Sequence, residues 1–591
     1  MAEFRSMVIT NKGQALIAKM MAGTATINFT KISLSSTVYT DAQILALTTL
    51  SGVKQTTGIS RIIKTSGAAV QVEGAVTNAE LAQGYYINTI ALHAQDPDEG
   101  EIVYAACGAS TPGWMPPFNG VSTSGCFLKL VTTVQNASQV TVTVDPAAVA
   151  TIGDIQDLQK QIDDLQAFIG YTEDDIYGVE ADMVNKKFTR LAGAASLTPG
   201  ADFDDIAPWK RRRCNVTDGG VVVAYYGDAA YSETGALTQA VTIDEVTYAV
   251  GTKVQVMVEQ PKFYYKVVPL LTEKREGDKG VHMRKARYYV SATKKAGFKV
   301  HPVFVRNGVE VDKVYMSAYE GSTYDVSASA YNVNDAQTVD WANDLLASIA
   351  GAKPTSGLSQ SGATRAGFRA IAAKRGTGWT QATVQSATAT ELLFLVEYAS
   401  FDMQSKLGVG VTNKTDDGST NMSELTGATT NLGNASGSVT NGNGFNIVSY
   451  RGEENPFGNI WKWIDGINVY NYGEGSVYIA DHTFADNSKT GSYQDAHITV
   501  CGANGYVSAF AYNEDFDWLF IASEVNGSAS VPVGDYFYQN KAASNYTVAA
   551  LGGHWANGSS AGGFSWSVAV ASSTRYRNIG GRLLYAPASA A

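Results

Sequence analysis

The chain has 591 residues, 45% of them hydrophobic, which is long enough for more than one hydrophobic core. Its formal net charge of −11 argues against a nucleic-acid partner, because binding phosphates requires a concentrated basic surface. Four cysteines without a CxxC pair indicate neither a zinc ribbon nor a disulfide framework, and the absence of a signal-peptide core or of a run of ~20 apolar residues predicts cytoplasmic synthesis without membrane insertion.

Residues 1–150 are predicted to form a domain of one helix and several strands. The helix is expected at residues 10–22, and strands at 70–76 and 127–144. The opening, ITNKGQALIAKMMAGTATINFTKI, resembles the N-terminal domain of phage tail-collar fibres, the part that attaches a fibre to the tail. This resemblance implies synthesis in a host bacterium, a place in the virion tail, and tail or baseplate proteins as partners. A generic small α+β domain is the alternative.

Residues 151–170 carry the spacing of a short coiled-coil collar. The apolar positions that step by three and four residues are Ile155, Leu158, Ile162, Leu165 and Ile169. Isoleucine at heptad position a with leucine at position d favours a two-stranded coiled coil, whereas phage fibres of this kind are usually trimers. Because two heptads cannot set stoichiometry alone, we expect a homotrimer. An amphipathic helix packed on its own domain is the alternative.

Residues 171–591 are predicted to form the head. Helices are expected at 182–191, 339–349 and 391–407, and strands at 219–226 and 254–268. The Gly/Asn/Thr/Ser-rich stretch at 408–446 is typical of long irregular loops, with an interdomain linker as the alternative. Trp461 and Trp463 share one face of a strand, and we expect both in the core because a tryptophan must bury a large apolar area.

The C-terminal stretch, residues 551–585, alternates between two kinds of side chain. From Phe564 onward, large apolar residues (Phe564, Trp566, Val568, Val570) fall on one side of an extended segment, and small ones (Ser565, Ser567, Ala569, Ala571) fall on the other. One face is therefore expected to pack and the other to face solvent. Nearby Tyr, Ser, Asn, Arg and His residues are typical of binding surfaces, because aromatic rings give rigid contact area and small polar groups give adaptable hydrogen bonds. A surface hairpin without a ligand is the alternative.

The same stretch carries a family resemblance. GGxWxNGxxAGxFxW followed by NIGGRLLY resembles the C-terminus of variable proteins in diversity-generating retroelements, and residues 257–266, 298–308, 318–322 and 449–468 are similar to segments of the same family. These proteins use a C-type-lectin fold, in its formylglycine-generating-enzyme-like version, to display hypervariable side chains. The resemblance implies an α+β multidomain chain with an attachment domain, a collar and a C-type-lectin-like head.

The alternation and the resemblance together predict a ligand-binding face in a variable region at about residues 535–577. Trp555 and Trp566 are expected to frame it from beneath. The candidate ligand-binding residues are Asp535, Tyr536, Tyr538, Asn540, Tyr546, His554, Trp555, Asn557, Ser559, Ser560, Ser565, Ser567, Arg575, Tyr576 and Arg577.

Catalytic and metal-binding patterns are missing from the sequence. It contains no HExxH, GxSxG or P-loop motif, and its six histidines are scattered singly. Formylglycine-generating enzymes work through cysteines, but Cys501 stands alone in its region. We therefore expect no catalytic residue, metal or cofactor, and the acidic runs at 96–101 and 173–175 lack the spacing that would support structural calcium.

The predicted function is that of a phage tail fibre that attaches the virion to a protein or glycan on the host bacterial surface. Two alternatives stay open. A fibre-tip enzyme that cuts a polysaccharide would need paired carboxylates in a groove, and a purely structural fibre or baseplate component would need no binding face.

Overall fold

The computed structural model divides the chain into two compact units, Met1–Gln166 and Ala167–Ala591. Its described parts are mostly β-strand with few helices, where the sequence predicts an α+β chain. All five predicted collar residues lie outside the described residues. The described residues are 2–66, 68–118, 124–134, 140–142, 176–275, 280–335, 337–356, 362–416, 422–471, 475–529, 535–540, 543 and 545–587.

The described residues of the first unit form two sheets and two short helices. Its strands are β1 (Glu3–Phe4), β2 (Val8–Ile9), β3 (Ile27–Ser35), β4 (Val53–Gly58), β5 (Arg61–Ser66), β6 (Ala69–Thr77), β7 (Tyr85–Asp96), β8 (Gly100–Met115), β9 (Gly125–Thr133) and β10 (Val140–Val142), and its helices are α1 (Asn11–Met21) and α2 (Asp41–Leu45). One sheet has the order β1-β8-β7-β3-β10, with β2 on β8 and β4 on β3, and the other has the order β5-β6-β9.

Helix α1 confirms the helix predicted at residues 10–22. It begins where the Thr10 side chain accepts a hydrogen bond from the Gly13 amide, which satisfies one of the free donors of the first turn. Leu16 and Met20 then lie on the buried face, in a core shared with Phe29 and Tyr104. The spacing of the apolar residues and the capping residue therefore both indicate a helix that begins after Thr10.

The second unit has many short strands. They are β11 (Tyr177–Asp182), β12 (Lys187–Ala192), β13 (Arg212–Val216), β14 (Val222–Tyr225), β15 (Val241–Ile243), β16 (Val246–Tyr248), β17 (Gln255–Pro261), β18 (Tyr264–Lys274), β19 (Val281–Ser291), β20 (Lys299–Val300), β21 (Val305–Arg306), β22 (Val309–Glu310), β23 (Lys313–Ser317), β24 (Ser322–Asp325), β25 (Ala330–Tyr331), β26 (Leu345–Ala347), β27 (Trp379–Gln381), β28 (Gly437–Thr440), β29 (Asn446–Tyr450), β30 (Glu453–Glu454), β31 (Trp461–Tyr470), β32 (Ser476–Ile479), β33 (Gln494–Thr499), β34 (Gly505–Tyr506), β35 (Ala509–Tyr512), β36 (Ala522–Glu524), β37 (Tyr536–Gln539), β38 (Tyr546–Leu551), β39 (Trp566–Val570), β40 (Ile579–Gly580) and β41 (Leu583–Tyr585). The helices are α3 (Arg365–Ala373), α4 (Val384–Tyr398) and α5 (Met403–Leu407).

Three large sheets organise these strands. One has the order β33-β32-β31-β38-β39-β37-β34, with β40 on β31, and a second has the order β14-β13-β17-β23-β41-β27. The third has the order β12-β11-β19-β18-β20, extended by β35 and β36. Trp461 and Trp463 are buried on the first sheet, as predicted. Helix α4 is buried on nearly all sides rather than on one stripe, because it runs through the main core of the unit.

Two predicted helices are strands or turns instead. Residues 182–191 form the β11–β12 hairpin, whose turn places Lys186 at φ 54° and lets the Asp182 carboxylate accept a hydrogen bond from the Asn185 amide. Residues 339–349 form a turn and β26, and the turn is held by an Asp344 carboxylate that accepts from the Asp340 amide. Local side-chain acceptors for backbone amides thus compete successfully with helix formation.

The prediction of one helix at 391–407 is half right. The chain forms α4 and α5, and between them Ala399 adopts a left-handed conformation at φ 48° that ends the first helix. The described parts of 408–446 are irregular loops apart from a short 3-10 helix (Thr430–Leu432), β28 and the start of β29.

Candidate functional site

Three tyrosines from two neighbouring strands lie on one side of the sheet that contains β31 and β39. Tyr506 pairs directly with Tyr536, and Tyr538 is two residues further along β37, so all three share a face. The ring centroids of Tyr506 and Tyr536 are 5.1 Å apart, and those of Tyr536 and Tyr538 are 4.6 Å apart. Each ring is partly exposed. They form a continuous aromatic ladder at the surface.

The loop at residues 554–560 is hydrogen-bonded to this ladder. Tyr506 Oη and Ser559 Oγ share a hydrogen bond of 2.8 Å, and Asn557 Nδ2 donates to Tyr538 Oη at 3.2 Å. The oxygen of the same side-chain amide, Asn557 Oδ1, accepts from the His554 backbone N–H at 2.8 Å. We call Tyr506, Tyr536, Tyr538, Asn557 and Ser559 the tyrosine face.

A buried layer holds the backbone of the loop. Ser565 Oγ lies 2.9 Å from the Tyr536 carbonyl oxygen and 2.8 Å from that of Ser560, so one hydroxyl joins strand and loop. From α5, Gln404 Nε2 donates to the Gly558 carbonyl oxygen at 3.0 Å. Side chains fixed in this way keep a binding surface in one geometry.

Asp535 belongs to this support layer. Its buried carboxylate accepts a 2.6 Å hydrogen bond from the Phe564 amide. A Cβ at Gly562 would lie 2.2 Å from both carboxylate oxygens, so only glycine permits this approach. Burial raises the pKa of Asp535 well above its usual range, against the opposing effect of the amide. The prediction that Asp535 contacts a ligand is therefore corrected, because its side chain points into the protein.

Three of the four large residues predicted to pack are in the core, and the fourth, Val570, is partly buried against another apolar cluster. Phe564, Trp566 and Val568 are buried in the main cluster of the unit. Trp566 Nε1 donates to Glu391 Oε1 of α4 at 2.9 Å. Burial also raises the pKa of Glu391 well above its usual range. Strand β39 is thereby anchored to helix α4.

Of the small residues predicted to face solvent, Ser565 and Ser567 are buried and Ala569 and Ala571 are partly exposed, which corrects the predicted solvent face. Ser565 and Ser567 are 0% and 7% exposed. The reason is that β39 is an interior strand, and its neighbour β38 contributes Val548 and Ala550 to a second apolar cluster together with Trp461. Period-two alternation separates two sides, but both sides of this strand are covered.

The remaining candidates divide into framework and surface. Trp555 is buried, with the Arg577 guanidinium 5.8 Å from its ring centroid and ion-paired to Asp416, so the prediction of direct ligand contact by Trp555 is corrected too. Burial lowers the pKa of His554 to about 4, which keeps the ring neutral near pH 7.

Five further candidates reach the surface or lie apart from the tyrosine face. Asn540, Arg575 and Tyr576 are exposed, and Ser560 is partly exposed beside the tyrosine face. Tyr546 lies outside that face, with its ring centroid 5.0 Å from that of Tyr470 on β31. Tyr506 is not among the residues predicted from the sequence, because the pairing of β34 with β37 joins residues thirty apart in the chain. The one local indication in the sequence is that Tyr506 lies next to a segment in which polar and apolar residues alternate.

Within the described ranges, no three His, Cys, Asp or Glu side chains are grouped so that they could hold a metal ion. Cys107, Cys126, Cys214 and Cys501 form no disulfide. None of the helices described above is long and apolar enough to span a membrane.

Comparison with known proteins bears mainly on the first unit. Residues 1–153 match the family model of the phage tail-collar fibre protein, N-terminal. No curated protein sequence matches the chain closely enough to be called a relative.

Among solved structures, the chain is similar to variants of Major Tropism Determinant, at TM-scores that do not define a shared fold. The P3c variant has 12% identity and a TM-score of 0.22, and the U1 variant has 11% and 0.21; each match covers 66% of this chain and 73% of the other. The M1 variant has 12% identity and a TM-score of 0.21, covering 68% and 77%. The family match covers the first 153 residues, and this part of the chain is similar to the N-terminal domain of phage tail-collar fibre proteins.

Proposed function

We propose that this chain is a phage tail-fibre receptor-binding protein that attaches the virion to a protein or glycan on the host bacterial surface. Residues 1–150 dock on the tail or baseplate, residues 151–170 join three copies as a coiled-coil collar, and residues 171–591 form a lectin-type head. The observation that carries the proposal is the tyrosine face, where partly exposed aromatic rings and polar groups meet on a fixed support.

The chemistry of this face suits recognition rather than catalysis. Tyrosine rings supply contact area at low conformational cost, and their hydroxyl groups, with the Asn557 amide and the Ser559 hydroxyl, supply donors and acceptors. The internal hydrogen bonds of Ser565 and Gln404 fix the loop before any ligand arrives, which lowers the entropy lost on binding. Binding then requires little rearrangement.

The burial pattern revises the set of side chains that we propose to vary among related fibres. Asp535, Trp555, Ser565 and Ser567 are framework positions, because they are buried. The proposed variable positions are Tyr506, Tyr536, Tyr538, Asn540, Asn557, Ser559, Ser560, Arg575 and Tyr576. Sequencing the part of the gene that encodes residues 506–577 from many clones should find codon changes at these positions and none at the framework positions.

Three heads on one fibre would compensate for a weak individual site. Linked sites raise effective affinity by factors on the order of 10²–10⁴ when all can engage together. A modest contact area at each tyrosine face would then suffice for stable adsorption.

Attachment to cells tests the proposal. In full-length protein, the double variant Tyr506→Ala/Tyr536→Ala should lose most binding to cells of the bacterium that the phage infects. The matched control is Tyr226→Ala/Tyr248→Ala, which removes two surface tyrosines from another part of the same unit. Equal losses in both variants, or binding retained by the first, would contradict the proposed face.

A further inference from the structure

A large groove crosses the first unit. It has a volume of about 1180 Å³ and lies between the N-terminal segment, the end of β8 and the length of β9. Ile87, Ile90, Leu128 and Leu130 are buried lining residues. Because small-molecule sites usually measure about 300–1,000 Å³, this groove has the size for a polypeptide segment.

Exposed apolar side chains lie along the groove. Trp114, Phe127 and Val131 line it and are 53%, 42% and 52% exposed. Tyr86, 57% exposed, packs against Trp114 with ring centroids 4.8 Å apart. Contiguous exposed apolar surface of this kind marks an interaction site, whereas single exposed apolar residues are ordinary.

One side of β9 is available for backbone pairing. All nine residues of β9 pair with β6, and no strand within the described residues pairs with its other side. A long unpaired edge can add a strand from another chain, with backbone hydrogen bonds giving affinity and side-chain pockets giving specificity. The groove therefore offers both an edge and a floor to an extended segment.

The charge of the groove restricts the chemistry of that segment. Among the described lining residues, Arg5 and Lys129 are the charged ones, and both are cations. The Lys129 ammonium lies 3.9 Å from the Glu73 carboxylate and remains 59% exposed. A segment that carries a carboxylate opposite Lys129 complements this surface.

We propose that this groove is the tail-docking site, and that it binds an extended segment of a tail or baseplate protein with alternating apolar side chains and at least one carboxylate. The segment adds a strand to the edge of β9, its apolar side chains contact Phe127 and Val131, and its carboxylate pairs with Lys129. This inference rests on the proposed function, in which the first unit attaches the fibre to the tail.

Virions assembled without this chain provide the probe. Purified full-length protein is added to them, and the bound fibre is measured per particle. Val131→Lys and Lys129→Glu should each lower bound fibre at least tenfold, because one places a charge on the apolar rim and the other reverses the charge that the carboxylate meets. The control is Val53→Lys, which changes a 43% exposed valine of the same unit outside the groove and should bind normally.

Two further readouts separate the possible failures. Amides of β9 should gain hydrogen-exchange protection on particle binding, and cell attachment by the free fibres should be equal in all variants. Normal particle binding by Val131→Lys, or protection that excludes β9, would refute the groove as the docking site. Neither result would contradict attachment of the first unit to the tail. Failure of the unaltered protein to bind particles would overturn tail attachment and the groove together.

Discussion

Replacing Glu391 by glutamine should stabilise the head at neutral pH. Burial raises the pKa of this carboxyl well above its usual range, so the folded head holds a proton that the unfolded chain releases above pH ~4.3. The associated stability is complete below that pH and falls as pH rises, by about 1.4 kcal/mol per unit, until the pH passes the folded-state pKa. Glutamine is neutral throughout and keeps an oxygen for Trp566 Nε1. Its advantage should therefore grow with pH.

Calorimetry of the full-length protein between pH 4.5 and 8 measures this effect. At pH 4.5 the head of Glu391→Gln should unfold at the same temperature as that of the unaltered protein. As the pH rises, the melting temperature of the variant should exceed that of the unaltered protein by an increasing margin. Glu397→Gln, in the same helix, is the control: this carboxylate accepts two 2.8 Å bonds from Arg451, so its neutralisation should destabilise by about 3–5 kcal/mol. If Glu391→Gln is no more stable than the unaltered protein at pH 8, or if its gain in stability is largest in acid, the Glu391 carboxyl is not neutral in the folded head.

Three other substitutions test the support layer and the core. Gly562→Ala should destabilise the head by about 1–3 kcal/mol in denaturant unfolding, because its Cβ would meet the Asp535 carboxylate, whereas Gly442→Ala meets nothing within 4 Å and should be neutral. Trp566→Ala should cost about 3–5 kcal/mol by the same measurement, with equal stability refuting its burial. Burial lowers the pKa of His301 to about 3, so its contribution to folding stability is present above pH 6.5 and is lost as the pH falls below that value. His301→Asn should therefore reduce the loss of stability in acid. An unchanged loss of stability in acid would contradict this.

The features that the sequence predicts well are those encoded locally. Helix α1 follows from apolar spacing and from Thr10 at its start, and the burial of Phe564, Trp566 and Val568 follows from alternation and residue size. Each of these depends on a few consecutive residues. Tertiary packing agrees with the local preference in both cases.

The features that the sequence could not reveal depend on distant pairing. Burial of Ser567 requires knowing that β38 and β37 flank β39 on either side, and the place of Tyr506 requires its pairing with Tyr536. Aspartate usually lies at the surface, but the Asp535 carboxylate accepts a hydrogen bond from the Phe564 amide inside the protein. Polar residues in the predicted site therefore include both contact residues and structural ones.

Tyrosine footprinting on the bound fibre tests whether the tyrosine face contacts the host cell. Full-length protein would be oxidised by hydroxyl radicals in solution and while attached to cells of the bacterium that the phage infects, and modification would be compared residue by residue. Binding through the tyrosine face predicts protection of Tyr506, Tyr536 and Tyr538, with Tyr226 modified equally in both states. Protection confined to other tyrosines would contradict the account.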